Sequence, residues 1–396
     1  MKRRKRVMAI LWIVVSSLTI STGPIHAKAI PTMATHAQAA ALIDVTSGRL
    51  LYSSHGDEEL RIASLTKIMT AIVAIEYGQL HKPVSVGKNA YAKEGSSIYL
   101  KLGEQMSLEH MLYGLMLRSG NDAATAIAEH IGGSEEGFVL LMNTKAEELG
   151  LQHTQFRNPH GLDAEGHYSS ANDLATLTAY AMHNDTFKEI VKTPVKKVPN
   201  PNESWDYKWD NKNKMLRFYD GADGVKTGYT KKALRCLVSS ATRNGQQLVA
   251  VTINDGDDWN DHGKMLDYGF AYYPLQTLLE QGQKVEGHNL IVGQKLSYPL
   301  ATGEENALSK RLVLFRSDTN TDTTDLSFGL RGRIDIVLDG REIDSTPVYI
   351  PGSLLPVKAK TSTSAATMHS DPLENKSYTW ISAVTSVFHK LLFTTD

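Results

Sequence analysis

Residues 67–77, KIMTAIVAIEY, carry apolar side chains nearly all the way round a helix, with one lysine at the head. A helix of that composition has no polar face to give to solvent, so the fold has to bury it. Lys67 is the exception that needs a reason. Three residues earlier stands Ser64, in RIASLTKIMT, and on a helix the two side chains share a face about one turn apart. Burial disfavours the ammonium form, so a lysine here can have a lowered pKa and, as a neutral amine, take a proton from a neighbouring hydroxyl. The same spacing also suits Ser64 as a helix N-cap and Lys67 as a side chain that reaches back to water. Ser85 and Lys88 repeat the spacing in KPVSVGK, but there Pro83 and Gly87 signal a turn and no apolar helix follows.

The first 29 residues combine a basic start, an apolar run from Val7 to about Ile20 and the small-residue site Ala27-Lys28-Ala29. This layout is that of a secretory signal peptide, and export is the expectation. With one cysteine, Cys236, in 396 residues, the chain has no internal disulfide and depends on its apolar core. A formal net charge of -1 and the lack of a basic stripe after residue 29 argue against nucleic acid as a partner.

After the leader, AALIDVTSGRLLYSS reads as two strands around Thr46-Ser47-Gly48. Helices follow: the one opening near Ser64, then SLEHMLYGLMLRSG, DAATAIAEHIGG, SEEGFVLLMNTKAEELG, and one at Ser170 with Asp173 as its capping-box partner. From Gly224 the pattern turns to strands. GVKTGYT comes first, and ALRCLVSSA and QQLVAVTIN then flank the hairpin signal Arg243-Asn244-Gly245. A helix from about Asp258 to Tyr273 closes this part. Strands at both ends with helices between predict an α+β domain over 30–275 whose antiparallel sheet is built from both chain ends. Residues 276–356 read as a small all-β domain, with a second hairpin turning at Asp339-Gly340, and 357–376 as a linker. Residues 377–396 place Trp380, Ile381, Val384, Val387, Phe388, Leu391 and Leu392 on one helical face. That amphipathic segment is too short and polar to span a bilayer. It is expected to lie in a membrane surface as a peripheral anchor, and the competing reading docks it on the protein's own body.

Two more motifs follow S-x-x-K in order: Ser119-Gly120-Asn121 between two predicted helices, and Lys226-Thr227-Gly228 on a predicted strand. S-x-x-K, S-x-N and K-T-G in this order resemble the signature of penicillin-binding proteins and serine β-lactamases. The resemblance is closest to the low-molecular-mass penicillin-binding proteins, the D-alanyl-D-alanine carboxypeptidases. It covers nearly the whole chain after the leader, through RIASLTKIMTA, EGSSIYL, YGLMLRSGNDAA, FRNPHGLD and GVKTGYT. VTINDGDDWNDH is similar to the branch associated with the spore cortex.

The resemblance implies a β-lactamase/transpeptidase-like catalytic domain and a role for each motif residue. Ser64 is the nucleophile and Lys67 its general base. Ser119 relays a proton to the departing amine, and the Asn121 amide holds the substrate carbonyl. Lys226 keeps Lys67 uncharged and attracts the substrate's terminal carboxylate, which Thr227 also binds. Gly228 leaves room for substrate to pair along the strand, and the backbone N–H groups of Ser64 and Tyr229 form the oxyanion hole. The implied substrates are peptidoglycan stem pentapeptides, with β-lactams acylating the same serine, no cofactor or metal, and an exported enzyme held peripherally at the extracytoplasmic membrane face. A D,D-endopeptidase acting on cross-links and a catalytically weak wall-binding protein are the alternatives. A class A β-lactamase would carry a loop glutamate in an E-x-x-L-N setting, which the sequence lacks. His160 in NPHGLD reads as a loop-bracing residue, and Cys236 as packed on its strand.

Overall fold

The computed structural model describes residues 30–315 and 329–356. The expected leader, the linker and the terminal amphipathic segment lie outside the described residues. Among those described, no helix is long and apolar enough to cross a membrane.

One antiparallel sheet organises the larger body. Its strands run in the order Leu50–Ser54, Ala39–Asp44, Gln246–Ile253, Leu234–Arg243, Ala222–Thr230. The two ends of the body meet where Ala39–Asp44 pairs with Gln246–Ile253, in register from Ala39 opposite Ile253 to Asp44 opposite Leu248. Side chains alternate between the faces of a strand. Ala39, Ala41 and Ile43 therefore join Val249, Val251 and Ile253 against the helical cluster, while Ala40, Leu42, Leu248 and Ala250 meet Met265 and Leu266 of the helix Asp258–Tyr272. With both faces covered, these strands read as continuous apolar runs instead of alternating ones. The hairpin between the last two long strands turns through Asn244 and Gly245, at φ 50 and 79, the left-handed pair that a two-residue turn needs to match strand twist.

The apolar helix spans Lys67–Tyr77, and every residue from Lys67 to Ile75 is buried. It is packed by the helices Asn121–Gly132, Glu135–Glu148, Ala171–Ala181 and Asp185–Lys192. Ser170 caps its helix as expected, its Oγ accepting the Asp173 N–H at 3.1 Å. SLEHMLYGLMLRSG, expected as one helix, changes form within the segment: Leu108–Tyr113 is α, and Gly114–Arg118 widens into a π turn before Ser119. KPVSVGK holds no turn at Pro83. Pro83–Ser85 instead forms a short strand against Gln105–Ser107, with Pro83 at its first position, where a missing N–H is tolerated. Three-residue strands are too short to leave a period in the sequence. The helix Asp185–Lys192 and the hairpin of Val195–Val198 with Tyr207–Asp210 were likewise absent from the sequence reading.

Beyond the helix Asp258–Tyr272 the described residues form β-strands, with one 3-10 turn at Glu304–Ala307. Leu275–Leu279 pairs with Leu296–Pro299, and a second sheet orders Ile291–Val292, Arg341–Tyr349, Leu330–Leu338 and Leu308–Leu314. It has its own core of Leu279, Val292, Ile334, Ile336 and Val348. Arg49, just before the second strand of the large sheet, ties this β body on. Its guanidinium donates to both Glu304 carboxylate oxygens at 2.6 and 2.7 Å and to the Pro299 carbonyl at 2.7 Å, and it lies over the Tyr273 and Tyr298 rings.

Candidate active site

The buried helix is preceded by one turn of 3-10 helix, Ala63–Thr66. Ser64 sits on that turn and Lys67 opens the α-helix, so the spacing of three does bring them together: Lys67 Nζ lies 3.0 Å from Ser64 Oγ. Lys67 is fully enclosed, with a relative exposure of 0%. Its other two neighbours are Asn121 Oδ1 at 2.7 Å and the His160 backbone carbonyl at 2.5 Å. Both of these can only accept. A neutral amine has two N–H donors and one lone pair, so satisfying the two acceptors aims the lone pair at the Ser64 hydroxyl.

The electrostatics agree with that protonation state. Burial is the main force holding the Lys67 pKa well below the ordinary lysine value, and the charges of Lys226 and then Lys212 add to it, while Asp122 opposes. Lys226, 1% exposed, is itself pushed down to about 7, by burial first and Lys212 second. Its Nζ donates to the Thr227 carbonyl at 2.7 Å.

The remaining motif residues form the walls. Ser119 ends the π turn in the left-handed conformation, φ 64, with only 4% of its surface exposed, and among the described residues its Oγ has no hydrogen-bond partner. Asn121 starts the next helix. Its amide is oriented by two bonds, accepting from Lys67 and donating through Nδ2 to the Glu94 carbonyl at 2.7 Å, which leaves one N–H free. Opposite runs the sheet's outer strand, Ala222–Thr230, paired on one side only. A Cβ on Gly228 would stand 3.2 Å from the Ile62 carbonyl oxygen and 3.3 Å from the Ser64 backbone nitrogen. Glycine is what lets the strand come this close to the Ser64 turn. Thr227 is half-buried, and Tyr229 is exposed at 63%.

Several residues that shape the groove were not singled out from the sequence. Lys212 biases both buried lysines and donates to Ser96 Oγ at 3.1 Å, yet in KWDNKNKM it is one lysine among several. Asp122 gathers the loop behind Asn121. Its carboxylate accepts the Ile98 and Leu100 N–H groups at 3.1 Å and Ser97 Oγ at 2.6 Å. That contact gives EGSSIYL, known before only as a resemblance, a physical purpose. The loop 157–168 reaches the site from the other side through the His160 carbonyl, and Asp163 lies between Arg61, 3.9 Å away, and Thr230 Oγ1, 3.1 Å away.

Other reactive groups are accounted for elsewhere. His160 is braced in its loop, its Nδ1 accepting the Leu162 N–H at 3.2 Å, and burial drives its pKa down to about 2. Cys236 is buried on its strand, and burial raises its thiol to about 12. His36, Asp257 and Asp261 bring ligand-type atoms within 4.8 Å of one another at the start of the helix Asp258–Tyr272. They are closed by protein partners, His36 on Asp261, Lys264 on Asp261 and Asn260 on Asp257.

Comparison with known proteins adds to this geometry. The family model for D-alanyl-D-alanine carboxypeptidase matches residues 26–257. The chain is 36% identical to the D-alanyl-D-alanine carboxypeptidase DacF of Bacillus subtilis (strain 168) over 311 residues, covering 76% of this chain and 80% of that protein. It is 32% identical to the D-alanyl-D-alanine carboxypeptidase DacC of Escherichia coli (strain K12) over 346 residues, 79% of this chain and 83% of that one. Among solved structures it is similar to penicillin-binding protein 5 from Haemophilus influenzae, with a TM-score of 0.64 at 28% identity over 81% of this chain and 98% of that chain. The chain thus belongs to the D-alanyl-D-alanine carboxypeptidase family of low-molecular-mass penicillin-binding proteins.

Proposed function

We propose that Ser64 carries the acyl-enzyme through which this carboxypeptidase removes the terminal D-alanine of peptidoglycan stem pentapeptides, and that β-lactams acylate the same oxygen. One observation carries the assignment: a fully buried lysine amine 3.0 Å from Ser64 Oγ whose other two partners are both acceptors. Lys67 takes the Ser64 proton as Oγ attacks the penultimate D-alanine carbonyl. Ser119, beside Asn121 and with a hydroxyl that has no partner among the described residues, relays that proton from Lys67 to the leaving amine, so that Lys67 is neutral again. The substrate lies along Ala222–Thr230, its terminal carboxylate toward Lys226 and Thr227, with the free Asn121 N–H on a peptide carbonyl. The N–H groups of Ser64 and Tyr229 receive the developing oxyanion. Water then attacks the acyl-enzyme carbonyl, giving a proton to neutral Lys67, which returns it to the departing Ser64 oxygen as tetrapeptide is released.

The same reading places the enzyme outside the cytoplasm. Residues 1–29 direct export, and 377–396 form an interfacial anchor beyond the 357–376 linker, an assignment motivated by the apolar face from Trp380 to Leu392. It also includes the spore-cortex branch, on VTINDGDDWNDH, which cortex muropeptide composition in a strain lacking the gene would test.

Ser64→Ala is expected to abolish D-alanine release from a stem pentapeptide, followed as the mass loss of one residue, and to abolish covalent penicillin labelling. Its cost in stability is on the order of 1 kcal/mol, that of the one hydrogen bond to Lys67 that it removes. A Ser64→Ala protein that still labels would move the nucleophile elsewhere. A cross-linked dimer cleaved faster than the pentapeptide would favour the endopeptidase alternative.

Because Lys67 acts as the neutral amine, kcat/KM should rise with pH through its lowered pKa. Because Lys226 attracts carboxylate only when protonated, kcat/KM should fall again as pH rises through about 7. In kcat the alkaline limb should move upward, since a bound carboxylate favours the Lys226 ammonium. Lys226→Arg, which keeps its charge, should remove that limb. A kcat/KM profile with no alkaline limb in the wild type would contradict the role given to Lys226.

Removing residues 377–396 should shift the protein from the membrane to the soluble fraction with pentapeptide turnover unchanged. Retention of the truncated form on membranes would assign attachment to the N-terminal segment.

A further inference from the structure

Ala63, directly before Ser64, has φ 48, a left-handed conformation that is strained for a residue with a Cβ. Something has to hold it there. Its carbonyl oxygen accepts Thr66 Oγ1 at 2.8 Å, and Thr66 Oγ1 lies 2.8 Å from His167 Nε2. The other ring nitrogen, Nδ1, faces the Arg157 backbone N–H at 3.1 Å. A backbone N–H can only donate, so Nδ1 accepts and the ring proton sits on Nε2. Nε2–H then donates to Thr66 Oγ1, and the Thr66 proton is left for the Ala63 oxygen. The bonds run in one direction, from His167 through Thr66 to Ala63, and all three residues are buried. Phe156 meets the imidazole edge-on at 5.9 Å, and burial lowers the ring pKa to about 4, which keeps it neutral in the ordinary working range. Gly161 closes the other side: a Cβ there would come within 2.0 Å of the Ala63 oxygen.

The Ala63 carbonyl and the Ser64 N–H belong to one planar trans peptide, so they point in opposite directions. Turning the oxygen toward Thr66 turns the N–H away from it. The Ser64 nitrogen faces the outer strand, 3.3 Å from where a Gly228 Cβ would stand. In the first turn of its helix, that N–H has no intrahelical partner.

We propose that His167 is a positioning residue for the acylation step: acting through Thr66, it fixes the Ala63–Ser64 peptide plane and so aims the Ser64 N–H at the oxyanion. This rests on the reading of Ser64 as nucleophile and its N–H as an oxyanion donor. Neither S-x-x-K nor K-T-G contains His167. It lies 103 residues after Ser64, on the far end of the loop that also lends Lys67 the His160 carbonyl. An aligned backbone donor matters most when negative charge has formed on the oxygen, so the loss should fall on the chemical step and spare ground-state binding.

The test uses the exported chain and a chromogenic β-lactam, separating the acylation rate constant from the preceding binding constant. Peptide mapping of the wild-type adduct comes first, since an adduct away from Ser64 overturns the nucleophile assignment and this proposal with it. With the adduct on Ser64, Thr66→Val, which keeps shape and removes the hydroxyl, should acylate about 10- to 100-fold more slowly with binding changed less than about twofold. Thr66→Ser should restore the rate to within about threefold, because the hydroxyl is returned. His167→Phe should reproduce the Thr66→Val defect, and His167→Gln, whose amide can donate to Thr66, should recover part of the rate. The histidine pair decides the matter if Thr66→Val fails to fold. A Ser64 adduct formed at the wild-type rate in Thr66→Val or His167→Phe, or a loss expressed in binding alone, would overturn the positioning role and leave the nucleophile assignment standing.

Discussion

The structure depends on keeping a lysine amine dry. Lys67 is fully buried, and among the described residues its head meets only an amide oxygen, a backbone carbonyl and the Ser64 hydroxyl. Burying an ammonium without a carboxylate partner is costly, so burial holds the Lys67 pKa well below the ordinary lysine value. The architecture around it serves that end. The helices that cover the central helix exclude water, and the sheet brings Lys226, a second buried cation, into range. The charges that bias Lys67, those of Lys226, Lys212 and Asp122, all come from the larger body and not from the β body attached through Arg49.

Dryness alone would give an inert lysine. What makes the site chemically competent is the order in which hydrogen bonds are taken up. Asn121 is held by the Glu94 carbonyl, so its oxygen is turned to Lys67. The loop 157–168 offers the His160 carbonyl to the same amine and touches the Ser64 turn again from behind, at Thr66 and at the Ala63 oxygen. In serine β-lactamases of class A a loop glutamate supplies a base. Here the loop supplies backbone and bracing groups, and its histidines, with pKa values lowered to about 2 and about 4, remain neutral.

Much of this was legible in the sequence because it depends on patterns that survive without coordinates. A helix apolar on all sides must be buried, and a lysine at its head stands out against that background. The hairpin signals at Asn244-Gly245 and Asp339-Gly340 are local, and both turn where expected with two left-handed residues. What stayed hidden depends on contacts between distant segments. Lys212 looks like a surface lysine until the fold sets its charge near two buried amines. His167 has no spacing relation to Ser64, and the sequence offers no sign that Ala63 adopts a strained backbone. The π turn before Ser119 lies within a helical period that gives no warning of it. The hairpin of Val195–Val198 with Tyr207–Asp210 escaped for a simpler reason: its strands are four residues long and largely polar.

The protonation state of Lys67 can be read directly. With lysines labelled at the ε carbon, the NMR signal lost in Lys67→Arg identifies Lys67, and its shift can be followed with pH in the free enzyme. The account predicts a titration well below the ordinary lysine value of 10.5, with the amine neutral in the range where acylation is fast. A Lys67 signal that titrates at or above that value, in an enzyme that still acylates, would contradict the general-base role on which the account rests.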